Sequence, residues 1–330
     1  MKKKVCLVTG GAGFIGSHMV DLLLAKNYTV RILDDLSGGH IKNIKHNLNN
    51  KNLSIEKKDI TKISTTNKIF KNLDYVFHFA GKGDIVPSIE NPKNYINTNL
   101  FGTVNILEGC RNSKIKNFIY AASSSCYGIA KTPTSENHPI FTLYPYALSK
   151  YQGEQATFHW SKVYKIRSNS IRIFNAYGPR VRTTGVYGAV FGVFFKQKLA
   201  QKPLTIVGNG KQKRDYIYVT DVADAFFKLG KSKYDRQIFN LGGGDPKTVN
   251  YLANLIGGNK IFIPKRPGEP DCTWADIKKI KKKLKWKPTV SFEEGVKEML
   301  KEINNWRDAP LWNKKNIKKA TKNWFKYLGN

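Results

Sequence analysis

The sequence predicts an α/β protein built on a doubly wound parallel sheet, with a smaller mixed α/β lobe. Three observations predict it. Short apolar, β-branched runs alternate with helical ones as far as Pro179, and strands separated by helices pair in parallel. The first run ends in a glycine-rich turn, VTGGAGFIG (8–16), that opens directly into a helical stretch. Beyond Gly178-Pro179 the alternation loosens, and Gly, Pro and aromatic residues become frequent in 178–216 and 241–275.

Each element follows from its pattern. KVCLVTG (4–10) is a buried strand, and IGSHMVDLLLAKN (15–27) is a helix. TVRILDD (29–35), LSIEKKD (53–59) and YVFHFAG (75–81) are the next three strands. NPKNYINTNLFGTVNILEGCRN (91–112) reads as one long amphipathic helix opening with Pro. KNFIYAASS (116–124) is a strand, PYALSKYQGEQATFHWSKVY (145–164) a second long helix, and IRSNSIRIFNAYGP (166–179) the next strand. Helical patterning returns in 291–306 and 313–327. The division expected is a dinucleotide-binding domain over 1–174 and 211–238, with a second lobe over 175–210 and 239–330.

Composition narrows the function. A chain of 330 residues with 41% apolar residues supports one large domain or two lobes on a shared core. No apolar run approaches ~18 residues, so no membrane span is expected. Cys6, Cys110, Cys126 and Cys272 form no CxxC pair, which favours free thiols in a reducing cytoplasm, with neither a disulfide framework nor a metal site. The formal charge of +32 invites a nucleic-acid reading, yet only ten of the 56 basic residues are Arg. Specific nucleic-acid sites lean on Arg forks and aromatic stacking. Lysines spread along the chain, with one dense run at 278–287, read instead as a solvated surface, and no specific nucleic-acid partner is expected.

The glycine turn carries the first chemistry. Gly10 allows the tight turn, Gly13 clears a path for a pyrophosphate, and Gly16 lets helix and strand pack closely. Helix N–H groups at Phe14, Ile15 and Gly16 then face the phosphates. Strand, turn and helix together make this a Rossmann-type dinucleotide site. Asp34 ends the second strand, where a carboxylate accepts the adenosine ribose hydroxyls and repels a 2′-phosphate. The following DLSGG offers no Arg for such a phosphate, so NAD is favoured over NADP. A plain strand-end turn is the bland alternative for Asp34.

YPYALSK (144–150) places Tyr146 and Lys150 four apart on a helix, facing one way. A phenol with a pKa near ~10 is a poor base at neutral pH. A neighbouring lysine and a nicotinamide cation are expected to lower it. Upstream, AASSSCYGIAK (121–131) ends a strand in three hydroxyls with no acid among them.

With these motifs the chain resembles an extended short-chain dehydrogenase/reductase. It is most similar to the NAD-dependent nucleotide-sugar 4-epimerases acting on UDP-glucose or UDP-N-acetylglucosamine, as far as about residue 300. RIFNAYGPR (172–180), RDYIYVTDVA (214–223) and RPGEPD (266–271) match that family's substrate-side motifs. The resemblance implies Ser123 as the catalytic hydroxyl beside Tyr146 and Lys150. It implies Asp59 and Ile60 at the adenine, and Phe79, Ala80 and Gly81 lining the cofactor. Asn99 then falls near the nicotinamide ribose. Arg214 and Arg266 would grip the diphosphate, Asn175 the phosphate–sugar link and Glu269 a nucleotide ribose hydroxyl. Thr273 would border the sugar's C2 substituent; a turn cap with Asp276 is its bland alternative. Lys82-Gly83-Asp84 is an unusual loop for the family.

Ser124 and Ser125 occupy positions where related 4,6-dehydratases carry an Asp-Glu pair. Dehydration needs an acid and a base there, and hydroxyls serve poorly. The pattern therefore favours epimerisation, or simple C4 oxidation, over dehydration; a C4 dehydrogenase, or a 4,6-dehydratase of a dTDP-, GDP- or CDP-sugar using unusual acids, is the enzyme alternative. A non-catalytic RNA-associated protein on this fold is the remaining alternative. The resemblance also implies a homodimer, with 91–112 and 145–164 in a four-helix bundle. Trp306, Trp312 and Trp324, in the stretch past the family's usual end, are expected to be packing anchors.

Overall fold

The computed structural model describes residues 3–182 and 190–329. The central sheet contains β1 (Val5–Thr9), β2 (Thr29–Asp34), β3 (Leu53–Lys57), β4 (Tyr75–His78), β5 (Asn117–Ser123), β6 (Ser168–Ile173) and a seventh strand, Ile238–Leu241. Every pairing in it is parallel. In space the seventh strand is followed by β6, β5, β4, β1, β2 and β3. The winding reverses beside β1, so a crevice opens at the carboxyl ends of β1 and β4, where ligands of such sheets bind.

Alternation along each strand gives the sheet two cores. Cys6 and Val8 of β1, with Ile119 and Ala121 of β5, face a core with Met19, Val20 and Leu23 of α1 (Phe14–Ala25) and Phe226 of the Val219–Lys231 helix. Leu7, Phe118 and Tyr120 face the opposite core with Ile106 and Leu107. Burial on both faces explains why these strands read as continuous apolar runs rather than alternating ones. A third core, rich in aromatic rings, holds the smaller lobe. Tyr177 stacks on Phe191 at 5.0 Å and Tyr216 on Phe292 at 4.7 Å. Three two-stranded sheets build this lobe, pairing Asn175–Tyr177 with Tyr216–Tyr218, Leu204–Val207 with Lys260–Ile263, and Lys213–Arg214 with Lys247–Thr248.

Several elements differ from the sequence reading. The helix expected over 91–112 is broken into Pro92–Ile96, a π turn at Asn97–Phe101, and Gly102–Cys110. The strand expected over 166–179 ends at Ile173, and Asn175–Tyr177 leaves for a different sheet. The expected boundary at 238/239 falls inside the strand Ile238–Leu241, and Ile277, Ile280 and Trp286 pack in the first core. Residues 313–327 form two short helices, Lys314–Ala320 and Lys322–Leu328, rather than one. Among the described residues no helix is long and apolar enough to cross a membrane.

The Pro145–Tyr164 helix is fixed to the sheet by a buried ion pair. Glu154 accepts Arg172 of β6 at 2.5 and 3.1 Å and the Ser170 hydroxyl at 2.7 Å. Arg172 also donates to the Tyr127 hydroxyl at 2.9 Å. Removing one partner of such a pair leaves a buried charge uncompensated. Glu154→Ala is therefore expected to destabilise the protein by about 3 kcal/mol, read as a lower midpoint in urea unfolding. A wild-type midpoint would show that the pair does not hold the helix.

Candidate active site

One cavity of about 1130 Å³ runs from the glycine turn, across the carboxyl ends of the strands, to the smaller lobe. Its cofactor-side wall is built by β1, β2 and β4. Gly10 has φ +67°, and a Cβ there would lie 2.8 Å from the Ala80 nitrogen. A Cβ on Gly16 would overlap the Gly10 carbonyl oxygen. Gly13 sits at the N-cap of α1 without a side chain to cap it, so Phe14, Ile15 and Gly16 open the helix toward the cavity. Such a cradle fits a pyrophosphate.

Asp34, at the end of β2, accepts the Ala12 N–H at 2.9 Å and the Leu36 N–H at 2.8 Å. Burial raises its pKa, and these two donors oppose the rise. A carboxylate has lone pairs left for a ribose diol. Asp59 and Ile60 line the same end, as do Phe79, Ala80 and Gly81 along β4. Below them Thr9 meets His78 Nδ1 at 2.6 Å, and His78 Nε2 meets Thr103 at 2.9 Å. Burial pushes the His78 pKa down to about 3, so this imidazole stays neutral and its role is to tie β1, β4 and the following helix together.

Asn99 is placed differently from the expectation. It lies in the π turn, 1% exposed, behind the cavity wall rather than on it. Its amide donates to the Lys82 carbonyl at 3.0 Å and the Ser149 hydroxyl at 2.9 Å, and accepts the Lys82 N–H at 2.7 Å. It holds the unusual 82–84 loop against the Pro145–Tyr164 helix. The extra residue of a π turn re-aims such a side chain, which no helical spacing announces.

At the end of β5, Ser123 caps the 3₁₀ turn Ser124–Tyr127 and accepts the Ser125 N–H at 3.2 Å. Its hydroxyl lies toward the Tyr146 phenol and favours its ionised form, opposing the rise that burial causes. Ser125 stands in the same relation to Tyr144, and the Tyr144 and Tyr146 rings stack at 6.4 Å. Three serines in a row thus serve two tyrosines and the cavity face; Ser124 lines that cavity as well.

Burial raises the Tyr146 pKa, and the opposing influence is the Ser123 hydroxyl. Lys150 is itself buried, with its ammonium 4.5 Å from the Tyr120 ring centre. Desolvation pulls its pKa down to about 7, and Glu154 one helical turn away works against that.

Across the cavity, Glu269 lies between two guanidinium groups, 2.7 Å from Arg214 and 3.3 Å from Arg266. The sequence reading put all three at the substrate nucleotide, and the fold adds that they pair with one another. Asn175 donates to the Thr273 hydroxyl at 2.9 Å, and both line the cavity. No helix begins at Thr273, so it does not cap one; the next helix is Lys278–Leu284. Asp215 is a further site residue that motif reading passed over. Fully buried, it accepts the Gly244 and Ala275 N–H groups at 2.8 Å each, which fixes the segment carrying Thr273. Burial raises its pKa to about 6. Tyr144 and Trp324 also line the cavity unannounced. Tyr144 was within reach of sequence reasoning as the first residue of YPYALSK; Trp324 had no local signal.

The family model described as GDP-mannose 4,6 dehydratase matches residues 7–299. The UDP-glucose 4-epimerase of Mycolicibacterium smegmatis is 33% identical, over 91% of this chain and 98% of its own length. A crystal structure of UDP-glucuronic acid 4-epimerase from Bacillus cereus, in complex with UDP-glucuronic acid and NAD, superposes with a TM-score of 0.85 at 30% identity, covering 91% of this chain and 99% of that one. The UDP-N-acetylglucosamine 4-epimerase of Methanobrevibacter ruminantium, solved with UDP-N-acetylmuramic acid, also gives 0.85, at 32% identity over 92% and 100% of the two chains. The glycine cradle, Asp34 and the Ser123–Tyr146 contact fit that kinship, and the chain belongs to the extended short-chain dehydrogenase/reductase family of NAD-dependent nucleotide-sugar epimerases and dehydratases.

Proposed function

We propose that this chain is an NAD-dependent nucleotide-sugar 4-epimerase, acting on UDP-glucose and UDP-galactose or on their N-acetylated counterparts. The observation that carries the reading is the end of β5. Ser123 and Tyr146 line the cavity together, and the next two cavity residues are Ser124 and Ser125, where elimination of water would require an acid and a base. The family includes dehydratases, so these two hydroxyls favour the epimerase.

When bound, NAD supplies a hydride acceptor for C4 and a positive charge near Tyr146. The chain does the rest. Arg214 and Arg266 hold the diphosphate, with Glu269 set between them as partner of a ribose hydroxyl. Asn175 steadies the phosphate–sugar link. Tyr146 takes the proton from the C4 hydroxyl, which Ser123 hydrogen-bonds, as the C4 hydride departs. Lys150 keeps the phenol end of the helix electropositive. The 4-keto sugar turns about its diphosphate link, and Tyr146 returns the proton after hydride reaches the opposite face. The overall reaction consumes no net NAD, so tight retention suits it.

We further infer a homodimer through the helices flanking the π turn and the Pro145–Tyr164 helix. Phe101 is 59% exposed and Leu148 39% exposed along these elements, apolar surface that a second subunit would cover. The proposed division of labour gives the cofactor to the parallel sheet with its flanking helices, and the nucleotide sugar to the smaller lobe with Arg214, Arg266 and Glu269. A cytoplasmic location agrees with the free thiols Cys6, Cys110, Cys126 and Cys272.

Incubation with UDP-, dTDP-, GDP- and CDP-sugars, followed by NMR of the products, tests the reading. An epimer of unchanged mass supports it; a product lighter by water, or accumulating NADH with an oxidised sugar, overturns it. Three outcomes are expected of the purified protein. Tyr146→Phe should lower kcat by about a thousandfold while UDP-sugar binding, measured by calorimetry, survives. Chromatography of the extracted cofactor should return NAD rather than NADP, given Asp34. Thr273→Tyr should suppress turnover of UDP-N-acetylglucosamine about tenfold or more by steric overlap, while largely sparing UDP-glucose; equal losses on both would remove Thr273 from the sugar pocket.

A further inference from the structure

We propose that residues 302–329 form a strap across the substrate cavity, and that Trp324 is a positioning residue for Arg266 and hence for the diphosphate of the nucleotide sugar. The inference rests on the nucleotide-sugar reading above and deepens it. The strap lies beyond residue 299, where the family model ends.

The strap is anchored at its near end in the smaller lobe. Trp306 packs edge-on against Phe195 with ring centres 4.8 Å apart. The Trp312 carbonyl accepts the buried Gln197 amide at 2.8 Å, and Gln197 in turn binds Thr205 at 2.8 Å. Ile317 and Thr321 are buried beyond it. The far end crosses to the other side of the cavity. Its last helix, Lys322–Leu328, lies on the Ile85–Glu90 helix, and Asn323 donates to Glu90 at 3.4 Å. The chain therefore spans from the aromatic core of one lobe to a helix of the other.

Trp324 sits where the strap passes the cavity. Trp306 and Trp312 do pack in the aromatic core, as expected of anchors. Trp324 is just as buried, at 3% exposure, but its neighbours are those of a site. Its indole N–H donates to the Pro267 carbonyl at 2.7 Å. The Arg266 guanidinium lies 5.4 Å from its ring centre. Tyr144, whose ring stacks on Tyr146, is 6.3 Å away. One ring thus grips the backbone beside Arg266, covers the guanidinium face, and touches the tyrosine next to the proposed base.

The physical effect is preorganisation. Arg266 and Pro267 precede Gly268, whose φ is +67° and where an added Cβ would meet nothing within 4 Å. A flat cation held by an aromatic face on one side and by Glu269 at 3.3 Å presents its fork in one orientation. Ordering lost before binding is not lost on binding, so the benefit falls on affinity. The transferred proton and hydride lie at the Tyr146 end, so the rate of turnover at saturation is not its target.

The test is a double-mutant cycle on the full chain with its cofactor. UDP, dTDP, GDP and CDP binding is measured by calorimetry, together with KM, kcat and bound NAD. Trp324→Ala should raise the Kd of the preferred nucleoside diphosphate and the KM of its sugar about tenfold, with kcat within about twofold and NAD content unchanged. Trp324→Phe, which keeps the ring and loses the N–H bond, should recover most of that loss even if the alanine variant folds poorly. In an Arg266→Ala background, Trp324→Ala should add nothing. Wild-type affinity in Trp324→Ala, or an equal loss with and without Arg266, overturns the positioning role alone. A wild-type enzyme that binds none of the four nucleoside diphosphates overturns that role together with the nucleotide-sugar reading.

Discussion

The site depends on a contact of backbone against backbone. α1 passes so close to the turn after β1 that a single carbon added at Gly16 would occupy the Gly10 carbonyl. That approach lets the helix begin at the edge of the crevice rather than above it. It puts β2, ending in Asp34, within reach of the same ligand as the helix N–H groups. On the far side of β1, the Thr9–His78–Thr103 line holds β4 and the following helix in register with it. The cofactor half of the cavity is therefore set by the sheet, with few side chains free to move.

The catalytic half is set by one stripe of one helix. Tyr146, Lys150 and Glu154 follow each other at four-residue intervals, so the chemical end and the anchoring end share a face. Glu154 is locked to Arg172, Tyr146 meets Ser123, and Lys150 is confined between them. A shift of the helix along its axis would disturb all three at once. That coupling explains why a buried ion pair, which adds little net stability over apolar packing, is worth keeping here.

What the sequence made legible was local. The glycine turn, the strand-end Asp34, the YxxxK spacing and the run of serines are patterns of neighbours, and the cavity gathers all of them. What it hid was relational. The π turn that puts Asn99 behind the wall depends on contacts with Lys82 and Ser149, far away in the chain. The motif puts Glu269 on the substrate side, but its ion pair with Arg214, 55 residues away in the chain, appears only in the fold. Trp324 looked like its two companions because composition cannot tell which core, or which cavity, a ring enters. The direction of the Tyr146 shift was also hidden, since burial of the lysine is a property of the fold.

The π turn at Asn97–Phe101 has a geometric corollary. An α-helix advances ~100° per residue, and a turn wound with one residue more leaves the following segment out of phase with the preceding one. The outward stripe of Pro92–Ile96 and that of Gly102–Cys110 therefore do not continue each other. In the proposed dimer, a subunit docking along this edge would meet two half-faces joined by a rotation, with the exposed Phe101 at the joint, and a seam of that shape would resist sliding by a turn.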